Sequence, residues 1–324
     1  MLKFNKNQSS ARSYGRHRGL SVLLIIFLFC AVCLGFCAFL NDKSEVRNTA
    51  HADACPYHTT QLTAGGTLNS GTYYLAGDLT LTSPITVNGT VNICLNGYVL
   101  KSSVSGKVIT INSGRTLNLY DCGNDDNHKH YYTKNSNHIY VLGSGTDYLT
   151  GGVISCNETG GANVVQNAGG TFNMYGGNLI AAQAGAVYNS GGTFNMYDGK
   201  ICGNMGTICG GVYVSNRQYF NIYGGEISDN CCSDTINCAG GVYCFGSVTI
   251  SGNVKIYDNT KASGSTVCDV YTRTPITIGS EGLKDGAYIG ITTGAYQNYN
   301  AGAFIGTNNS SQATSDLLNN YFFN

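Results

Sequence analysis

The chain has 324 residues, among them 44 glycines, 23 tyrosines, three prolines and no tryptophan, and only 11% of its residues are charged. This composition excludes a protein built mainly of helices and favours a chain that turns often. From Cys55 onward, 11 basic and 15 acidic residues leave a dilute net charge of −4, which argues against nucleic-acid binding because that needs clustered lysine and arginine.

An apolar segment behind a basic leader marks the N-terminus. Residues 20–40 form an unbroken apolar run, typical of a secretory signal, and residues 50–52 or 52–54 offer the small-x-small pattern of a cleavage site. The same run is long enough to span a bilayer, so an uncleaved anchor is the alternative. Both interpretations assign residues 1–54 to targeting and predict that the remainder is exported, to the extracellular space or the cell surface.

A repeated phrase covers the middle of the chain. It reads GGTFNMYGG at 169–177, GGTFNMYDG at 191–199 and RQYFNIYGG at 217–225, and looser copies align at Thr90, Thr116 and Ser247. Successive copies lie 22 to 28 residues apart except for one interval of 55, which we divide at Thr150 to give coils of 22–30 residues throughout. Such a period is the signature of a solenoid, whose coils stack to bury one another's apolar faces.

Alternation within the phrase predicts a strand with one buried face. Apolar residues recur at every second position and point inward, while the positions between them point outward. The inward set is Phe172, Phe194, Phe220 and Val248 with Met174, Met196, Ile222 and Ile250; the outward set is Asn92, Asn118, Asn173, Asn195 and Asn221 with Tyr120, Tyr175, Tyr197 and Tyr223. Parallel strands lie about 4.8 Å apart, so we expect like side chains to stack as ladders.

Two further strands complete each coil. The second strand points Leu179, Ile201, Ile227 and Ile256 inward. A turn follows that contains Asn157, Asn204, Asn230 and Asn259. The third strand pairs an inward valine with an outward tyrosine at 187–188, 212–213, 242–243 and 270–271. The turn asparagines predict another ladder, bonded to the backbone. Three strands per coil predict an all-β fold, the right-handed parallel β-helix. We expect residues 55–88 to cap its start, 89–279 to form the coils, and 280–324 to form a C-terminal cap or a truncated tail.

These phrases together resemble a known group of proteins. Over about residues 60–300 the chain is similar to right-handed β-helix surface proteins of anaerobic Gram-positive bacteria. The phrases that carry this resemblance are GGTFNMYGG followed by an Ile-rich strand, Asp-Asn and GGVY, with ICLNGYVL and LNLYDCG before them. The resemblance implies a pectate-lyase-like fold and an adhesin-like role. It implies little about chemistry, because a fold does not determine a function.

The outward tyrosines are the candidate binding surface. Stacked phenols offer flat apolar faces with a hydrogen-bonding rim, which suits sugar rings or a protein partner, although ladders of this kind also simply stabilise parallel coils. The candidates are Tyr175, Tyr197 and Tyr223 on the first strand and Tyr188, Tyr213 and Tyr243 on the third.

Other residue types suggest further sites. Asp229 and Asp258 take equivalent places on successive coils, where two carboxylates can serve as acid and nucleophile or hold calcium, but Asp-Asn in a turn needs no catalytic reason. In the polar insertion 121–138, His128 and His130 are candidate ligands of a transition metal, although a polar surface loop has the same composition.

The 11 cysteines outside the apolar run lack the paired spacing of a zinc cage, and in an exported chain some should form disulfides. Cys209, Cys238 and Cys268 each precede a third strand, so Cys209–Cys238 or Cys238–Cys268 is the predicted bridge. Cys94 and Cys122 face each other across coils in the same way, and free, small buried thiols are the alternative. Lys200 and Glu226 also align on neighbouring coils and are expected to pair at the surface.

The favoured hypothesis is a non-enzymatic, adhesin-like, secreted or cell-surface β-helix. It presents an elongated sheet to a glycan or to a protein of a host or neighbouring cell, and it needs no cofactor. It meets the membrane only through residues 20–40. The alternative is a polysaccharide lyase or glycoside hydrolase, because proteins of this fold so often act on uronate polymers.

Overall fold

The computed structural model describes residues 56–157, 159–291 and 305–323. The predicted targeting segment, with its apolar run and candidate cleavage sites, lies outside these residues. Within the described residues no helix has the length and apolar character needed to traverse a lipid bilayer. Strands make up 52% of the structure and helix 3%, so the fold is all-β, as the sequence predicts.

The strands stack in three columns, which makes the fold a parallel β-helix. The first column contains β1 (Thr60–Gln61), β3 (Gly71–Tyr74), β6 (Thr90–Cys94), β9 (Thr116–Tyr120), the ends of β14 (Val165–Met174) and β16 (Val187–Met196), the starts of β20 (Tyr219–Ser228), β23 (Ser247–Tyr257) and β27 (Ile276–Leu283), and β29 (Ile305–Asn308).

The second and third columns complete each coil. The second contains β4 (Leu79–Leu81), β7 (Val99–Ser102), β13 (Val153–Ser155), β15 (Asn178–Ile180), β17 (Lys200–Cys202), the ends of β20 and β23, β28 (Tyr288–Gly290) and β30 (Phe322–Phe323). The third contains β2 (Gly66–Leu68), β5 (Ile85–Val87), β8 (Ile109–Ile111), the starts of β14 and β16, β19 (Val212–Val214), β22 (Val242–Cys244) and β26 (Val270–Thr272).

The repeated phrase pairs in register, as its alternation predicts. Phe172 pairs with Phe194, and Phe194 with Phe220, and their fully buried rings stack at 4.7 Å in both steps. This spacing is the distance between neighbouring strands. The doubled glycines of the phrase are needed where coils approach closely: Gly192 has a φ of +81°, and a Cβ there would collide with the Gly170 carbonyl oxygen. The inward residues therefore form one continuous core.

The division of the 55-residue interval at Thr150 is wrong. Thr116 pairs directly with Thr171, and Val99 with Val153, so a single coil spans the interval. The extra residues, 121–152, form an insertion with a three-stranded antiparallel sheet of β10 (Lys129–Lys134), β11 (Tyr140–Leu142) and β12 (Asp147–Thr150). Thr150 therefore belongs to the insertion and not to a coil, and coils are not all of 22–30 residues.

The boundaries of the solenoid also differ from the prediction. β1 to β5 already pair within the three columns, with coils as short as the 20 residues from Gly71 to Val91, so most of the predicted N-terminal cap is solenoid. At the other end β28, β29 and β30 extend the columns. The helix α1 (Thr314–Tyr321) adds Leu317 to the core. The described part of residues 280–324 thus continues the stack, whereas the sequence there has lost the repeat.

Two asparagine ladders bind the coils together. On the outer face, each amide donates to its neighbour from Asn221 through Asn195, Asn173 and Asn118 to Asn92, at 2.7 to 2.8 Å. In the buried turn, Asn204 donates to Asn230 and Asn230 to Asn259, both at 2.9 Å, and Asn259 donates to Asp269 at 2.8 Å.

Asn157 does not join the buried ladder that the sequence predicts for it. Its side chain donates instead to the Ser103 carbonyl oxygen. The ladder position of the coil before Asn204 is taken by Ala182, whose backbone N–H donates to the Asn204 amide oxygen at 2.9 Å.

Small strands extend the turns after the second column. They are β18 (Met205–Gly206), β21 (Cys231–Cys232), β24 (Thr260–Lys261) and β25 (Thr266–Val267). Their loops cover part of the third column and bury side chains that would otherwise face solvent.

Candidate functional site

Tyrosines form a stacked ladder on the outer face of the first column. The strand places each ring at the position after an inward Leu, Met or Ile, where the side chain points away from the core. Ring centroids are 4.8 Å apart between Tyr120 and Tyr175, 4.6 Å between Tyr175 and Tyr197, and 5.0 Å between Tyr197 and Tyr223, and the planes are within 13° of parallel. The predicted ladder is confirmed.

The ring faces in this ladder are occupied by the neighbouring rings. Even the start is covered, because Tyr57 stacks on Tyr120 at 3.8 Å. The idea that sugar rings stack on these tyrosine faces is therefore wrong for the interior of the ladder. The surface shows instead the ring edges and a row of phenolic hydroxyls, and Tyr175 retains 38% exposure.

The hydroxyls of the ladder are hydrogen-bond donors at neutral pH. Burial raises the pKa of both Tyr175 and Tyr197, and repulsion between phenolates raises the pKa of Tyr197 further. The hydrogen bond with Tyr197 opposes the rise at Tyr175 but does not cancel it. The ladder is therefore an uncharged ribbon of repeated polar groups.

The third-column tyrosines follow one another as predicted, but the rings of Tyr188 and Tyr213 are tilted by 36° and Tyr243 is buried. Tyr188, Tyr213 and Tyr243 follow one another at 5.0 and 5.6 Å. Tyr188 and Tyr213 are half-buried, whereas Tyr243 is buried against Phe245 and Tyr271. The prediction that Tyr243 belongs to an exposed binding face is therefore wrong, because the loops of the preceding turns cover it.

Asp229 anchors the insertion to the coils. Asp229 and Asp258 both take the left-handed conformation, with φ of 56° and 55°, as residues of a tight turn do. Asp229 accepts a hydrogen bond from Lys134 Nζ at 2.7 Å and another from the Tyr140 hydroxyl at 2.6 Å. Burial by itself would raise the pKa of Asp229, but these bonds outweigh it and lower the pKa. The carboxylate thus stays ionised, whereas a general acid has to hold a proton.

The histidines of the insertion bind protein groups. His128 Nδ1 lies 2.9 Å from Asp125 Oδ1, and His130 Nε2 lies 2.7 Å from the Gly97 carbonyl oxygen. In the part of the chain that the structure describes, neither belongs to a group of three metal-ligating side chains. The proposed metal site at His128 and His130 is not formed, because each ring is used to position the insertion.

The ten described cysteines form no disulfide with one another, so the predicted bridges are not formed. The thiols of the Cys209, Cys238 and Cys268 group donate to backbone carbonyls: Cys209 to Gly241 at 3.7 Å, Cys238 to Asp234 at 3.0 Å, and Cys268 to Cys238 at 3.1 Å. These contacts orient the sulfur atoms toward the backbone.

Cys94 differs from the other thiols. Its Sγ lies 3.3 Å from Cys122 Sγ. The hydrogen bond with Cys122 lowers the pKa of the Cys94 thiol to about 6 despite the opposing effect of burial, and His58 lowers it further. Burial raises the pKa of Cys156 and Cys244 to about 12. Thiolate character, which metal binding and redox chemistry require, is therefore favoured at Cys94.

The predicted pair of Lys200 and Glu226 is confirmed. Lys200 Nζ lies 2.8 Å from Glu226 Oε1, and the same oxygen accepts hydrogen bonds from Ser228 and Tyr257 at 2.7 and 2.8 Å. Burial opposes ionisation of Glu226, but these partners together lower its pKa. The network links three coils and is structural.

The sequence did not reveal Tyr57 and His58 as partners of the first column. They precede β1 and carry no repeat, so no alignment places them on a coil. The only signal available was Cys94, which falls at the register position of a ladder tyrosine, between Tyr74 and Tyr120.

Comparisons with known proteins add no relative. No family model matches the chain, and no curated protein and no solved structure matches it significantly. The resemblance to bacterial surface proteins, and the exported location and partners that it implies, therefore stay predictions.

Proposed function

We propose that this chain is a non-enzymatic, exported, adhesin-like β-helix that binds an extended glycan along the first-column tyrosine ladder. The observation that carries the proposal is the uninterrupted row of partly exposed tyrosines at Tyr120, Tyr175, Tyr197 and Tyr223. Their ring-to-ring steps of 4.6 to 5.0 Å are close to the length of one sugar ring along an extended polysaccharide.

The chemistry of the row suits a neutral polymer. Each step presents one phenolic hydroxyl that can donate to a sugar oxygen and accept from a sugar hydroxyl, beside an apolar ring edge. The outer asparagine ladder lies two residues earlier in each strand, but its amide groups bond to one another. The tyrosine hydroxyls hydrogen-bond along the row, Tyr57 with Tyr120 and Tyr175 with Tyr197, and their partly exposed edge is the polar surface that the proposal assigns to recognition.

The state of Asp229 supports a binding role over a role as the general acid of glycoside hydrolysis. Its carboxylate is engaged by Lys134 and Tyr140 in holding the insertion. A carboxylate committed to an ion pair is a poor source of the proton that glycoside cleavage needs.

Tyrosine-to-phenylalanine variants test the proposal, because they remove the hydroxyls and keep the stack. Affinity electrophoresis of the full chain through a panel of extended polysaccharides should show retardation. We expect it to be lost in Y175F/Y197F/Y223F and kept in the matched third-column control, Y188F/Y213F. Thermal unfolding of both variants should match that of the unaltered chain.

Other results would redirect the assignment. Retention that is unchanged in Y175F/Y197F/Y223F would show that the ladder is only structural. Binding to purified cell-surface proteins but to no glycan would indicate a protein-binding adhesin. Release of new sugar ends, abolished by D258N, would establish the enzyme alternative.

A further inference from the structure

Three side chains from distant parts of the sequence meet at the outer face of the first coils. The ligand atoms of His58, Cys94 and Cys122 all lie within 4.8 Å of one another. Cys122 Sγ is 3.3 Å from Cys94 Sγ and 3.2 Å from His58 Nε2. Cys94 is fully buried and the other two are half-buried.

We propose that His58, Cys94 and Cys122 form a binding site for a thiophilic divalent cation, of which Zn²⁺ is the type. Two sulfur donors and one imidazole are the ligand set that zinc prefers, and they disfavour calcium and magnesium, which require oxygen. The site is independent of the glycan-binding function proposed above.

The observed spacing is close to that of a zinc centre. With Zn–S near 2.3 Å and Zn–N near 2.0 Å, tetrahedral geometry places two sulfur ligands about 3.8 Å apart and a sulfur and a nitrogen about 3.5 Å apart. The distances here are 3.3 and 3.2 Å. For these two pairs, metal binding therefore requires the donors to separate by about half an ångström or less.

The position of Cys94 is explained by this site. Its register neighbours in the first column are Tyr74 and Tyr120, so a tyrosine here would continue the ladder. The short thiol instead leaves room for the segment before β1: His58 stacks on Tyr74 at 4.7 Å, and Tyr57 stacks on Tyr120 at 3.8 Å. The ladder between Tyr74 and Tyr120 is therefore interrupted at Cys94, where the His58 imidazole and the Cys122 thiol approach.

Cys122 is held in place by the residue before it. The Asp121 carboxylate accepts hydrogen bonds from the backbone N–H of Gly97 at 2.8 Å and of Gly152 at 2.7 Å. These bonds fix the start of the insertion to the neighbouring coil at Gly97 and to the end of the insertion at Gly152. The thiol is thus oriented before any ion arrives, as a preorganised site requires.

The bound ion would cross-link the segment at 57–58 to the first coils. The three ligands close loops of 28 and 64 residues, and the half-buried side of the site leaves a fourth position for water. Because the ion binds the folded chain and not the unfolded one, it should raise the unfolding temperature.

Titration of the reduced full chain with Co²⁺ and then Zn²⁺ tests the site. We expect one equivalent of Co²⁺ to give thiolate-to-metal charge-transfer absorption, which Zn²⁺ then displaces. C94S should abolish this signal. H58F, which keeps the ring stack on Tyr74, should weaken Zn²⁺ binding by more than about 100-fold, because even indirect supports of metal ligands are worth 10–100-fold. The matched control C156S, at a buried thiol outside the cluster, should bind like the unaltered chain.

Three results would overturn the site. The first is that the unaltered chain takes up no equivalent of Co²⁺ or Zn²⁺. The second is that C94S and H58F, shown to be folded by circular dichroism, bind the ion as tightly as C156S does. The third is that mass spectrometry of the chain isolated without reductant shows Cys94 and Cys122 joined as a disulfide. None of these results bears on glycan retention, so the two proposals fail separately.

Discussion

Replacement of Asn230 by alanine tests how much the buried ladder stabilises the coils. Asn230 Nδ2 donates to the Ile201 carbonyl oxygen at 2.8 Å and to Asn259 Oδ1 at 2.9 Å, and Asn230 Oδ1 accepts from Asn204 Nδ2 at 2.9 Å. All three asparagines are fully buried. Alanine removes both the donor and the acceptor of the Asn230 side chain. Because the turn is buried, water does not replace the lost hydrogen bonds of its partners.

The magnitude follows from the number of buried groups that lose a partner. The Asn204 backbone N–H, which donates to Asn230 Oδ1 at 3.3 Å, and the Ile201 carbonyl are the two most affected, whereas the Asn204 side-chain amide keeps its bonds to Leu179 and Cys202. A buried unsatisfied group costs about 1–3 kcal/mol. We expect N230A to lower the free energy of unfolding by about 4 kcal/mol. The control is N195A in the outer ladder, which loses two similar bonds at a half-buried position where water replaces them, at about 1 kcal/mol.

Urea unfolding followed by far-ultraviolet circular dichroism measures both variants, and it suits a chain without tryptophan. The difference between N230A and N195A should be at least about 2 kcal/mol, with equal slopes on urea concentration. A difference below about 0.5 kcal/mol would refute the reasoning, because burial would then add nothing to the cost of breaking the ladder.

Three further perturbations probe separate parts of the structure. F194A opens a cavity in the phenylalanine stack and should cost about 3–5 kcal/mol in urea unfolding, whereas T193A on the outer face should cost less than about 0.5 kcal/mol. Because the pKa of Asp229 is lowered in the folded state, its ion pair stabilises the fold above the unfolded pKa, and this stabilisation is lost as the pH falls through the folded pKa. D229N should remove this pH dependence and increase hydrogen exchange in β10–β12. Unchanged exchange would contradict the anchoring role of Asp229. Burial raises the pKa of Asp269, so its contribution to stability is present below the unfolded pKa and is lost as the pH rises through the folded pKa. D269N keeps an oxygen that accepts from Asn259, and it should abolish this loss of stability in thermal unfolding curves taken across the same pH range.

The sequence predicted the columns because two periods agree. Alternation at every second residue determines which face of a strand is buried, and the recurrence of the phrase determines which residues become neighbours on successive coils. Phe172, Phe194 and Phe220 therefore stack as expected, and so do the tyrosines beside them. Neither prediction required knowledge of distant contacts.

The errors arose where the repeat carries no information. The insertion at 121–152 has strand-like segments, and DYLT resembles a coil strand locally, but it pairs with β10 in an antiparallel sheet. Burial of Tyr243 depends on loops of other coils. Cysteine distances depend on side-chain rotamers, so near alignment of Cys209, Cys238 and Cys268 did not predict bonding.

Sites assembled across coils are also invisible to local motif spacing. The sequence argues against a zinc cage because the cysteines outside the apolar run at 20–40 show no CxxC spacing. In a solenoid, however, coil stacking brings together residues separated by about one repeat, as it does for Cys94 and Cys122. His58 joins them from outside the repeat, and only the three-dimensional structure shows this.

Engineered disulfide formation between Thr116 and Thr171 tests the register across the long coil most directly. The two residues are paired neighbours, which puts their Cα atoms about 4.8 Å apart, within the range of about 4.4–6.8 Å that a disulfide spans. Oxidised T116C/T171C should therefore yield the cross-linked peptide by mass spectrometry, and T116C/T193C, two coils apart at about 9.6 Å, should not. Cross-linking in neither variant, or in T116C/T193C alone, would contradict the stacking of β9 directly on β14.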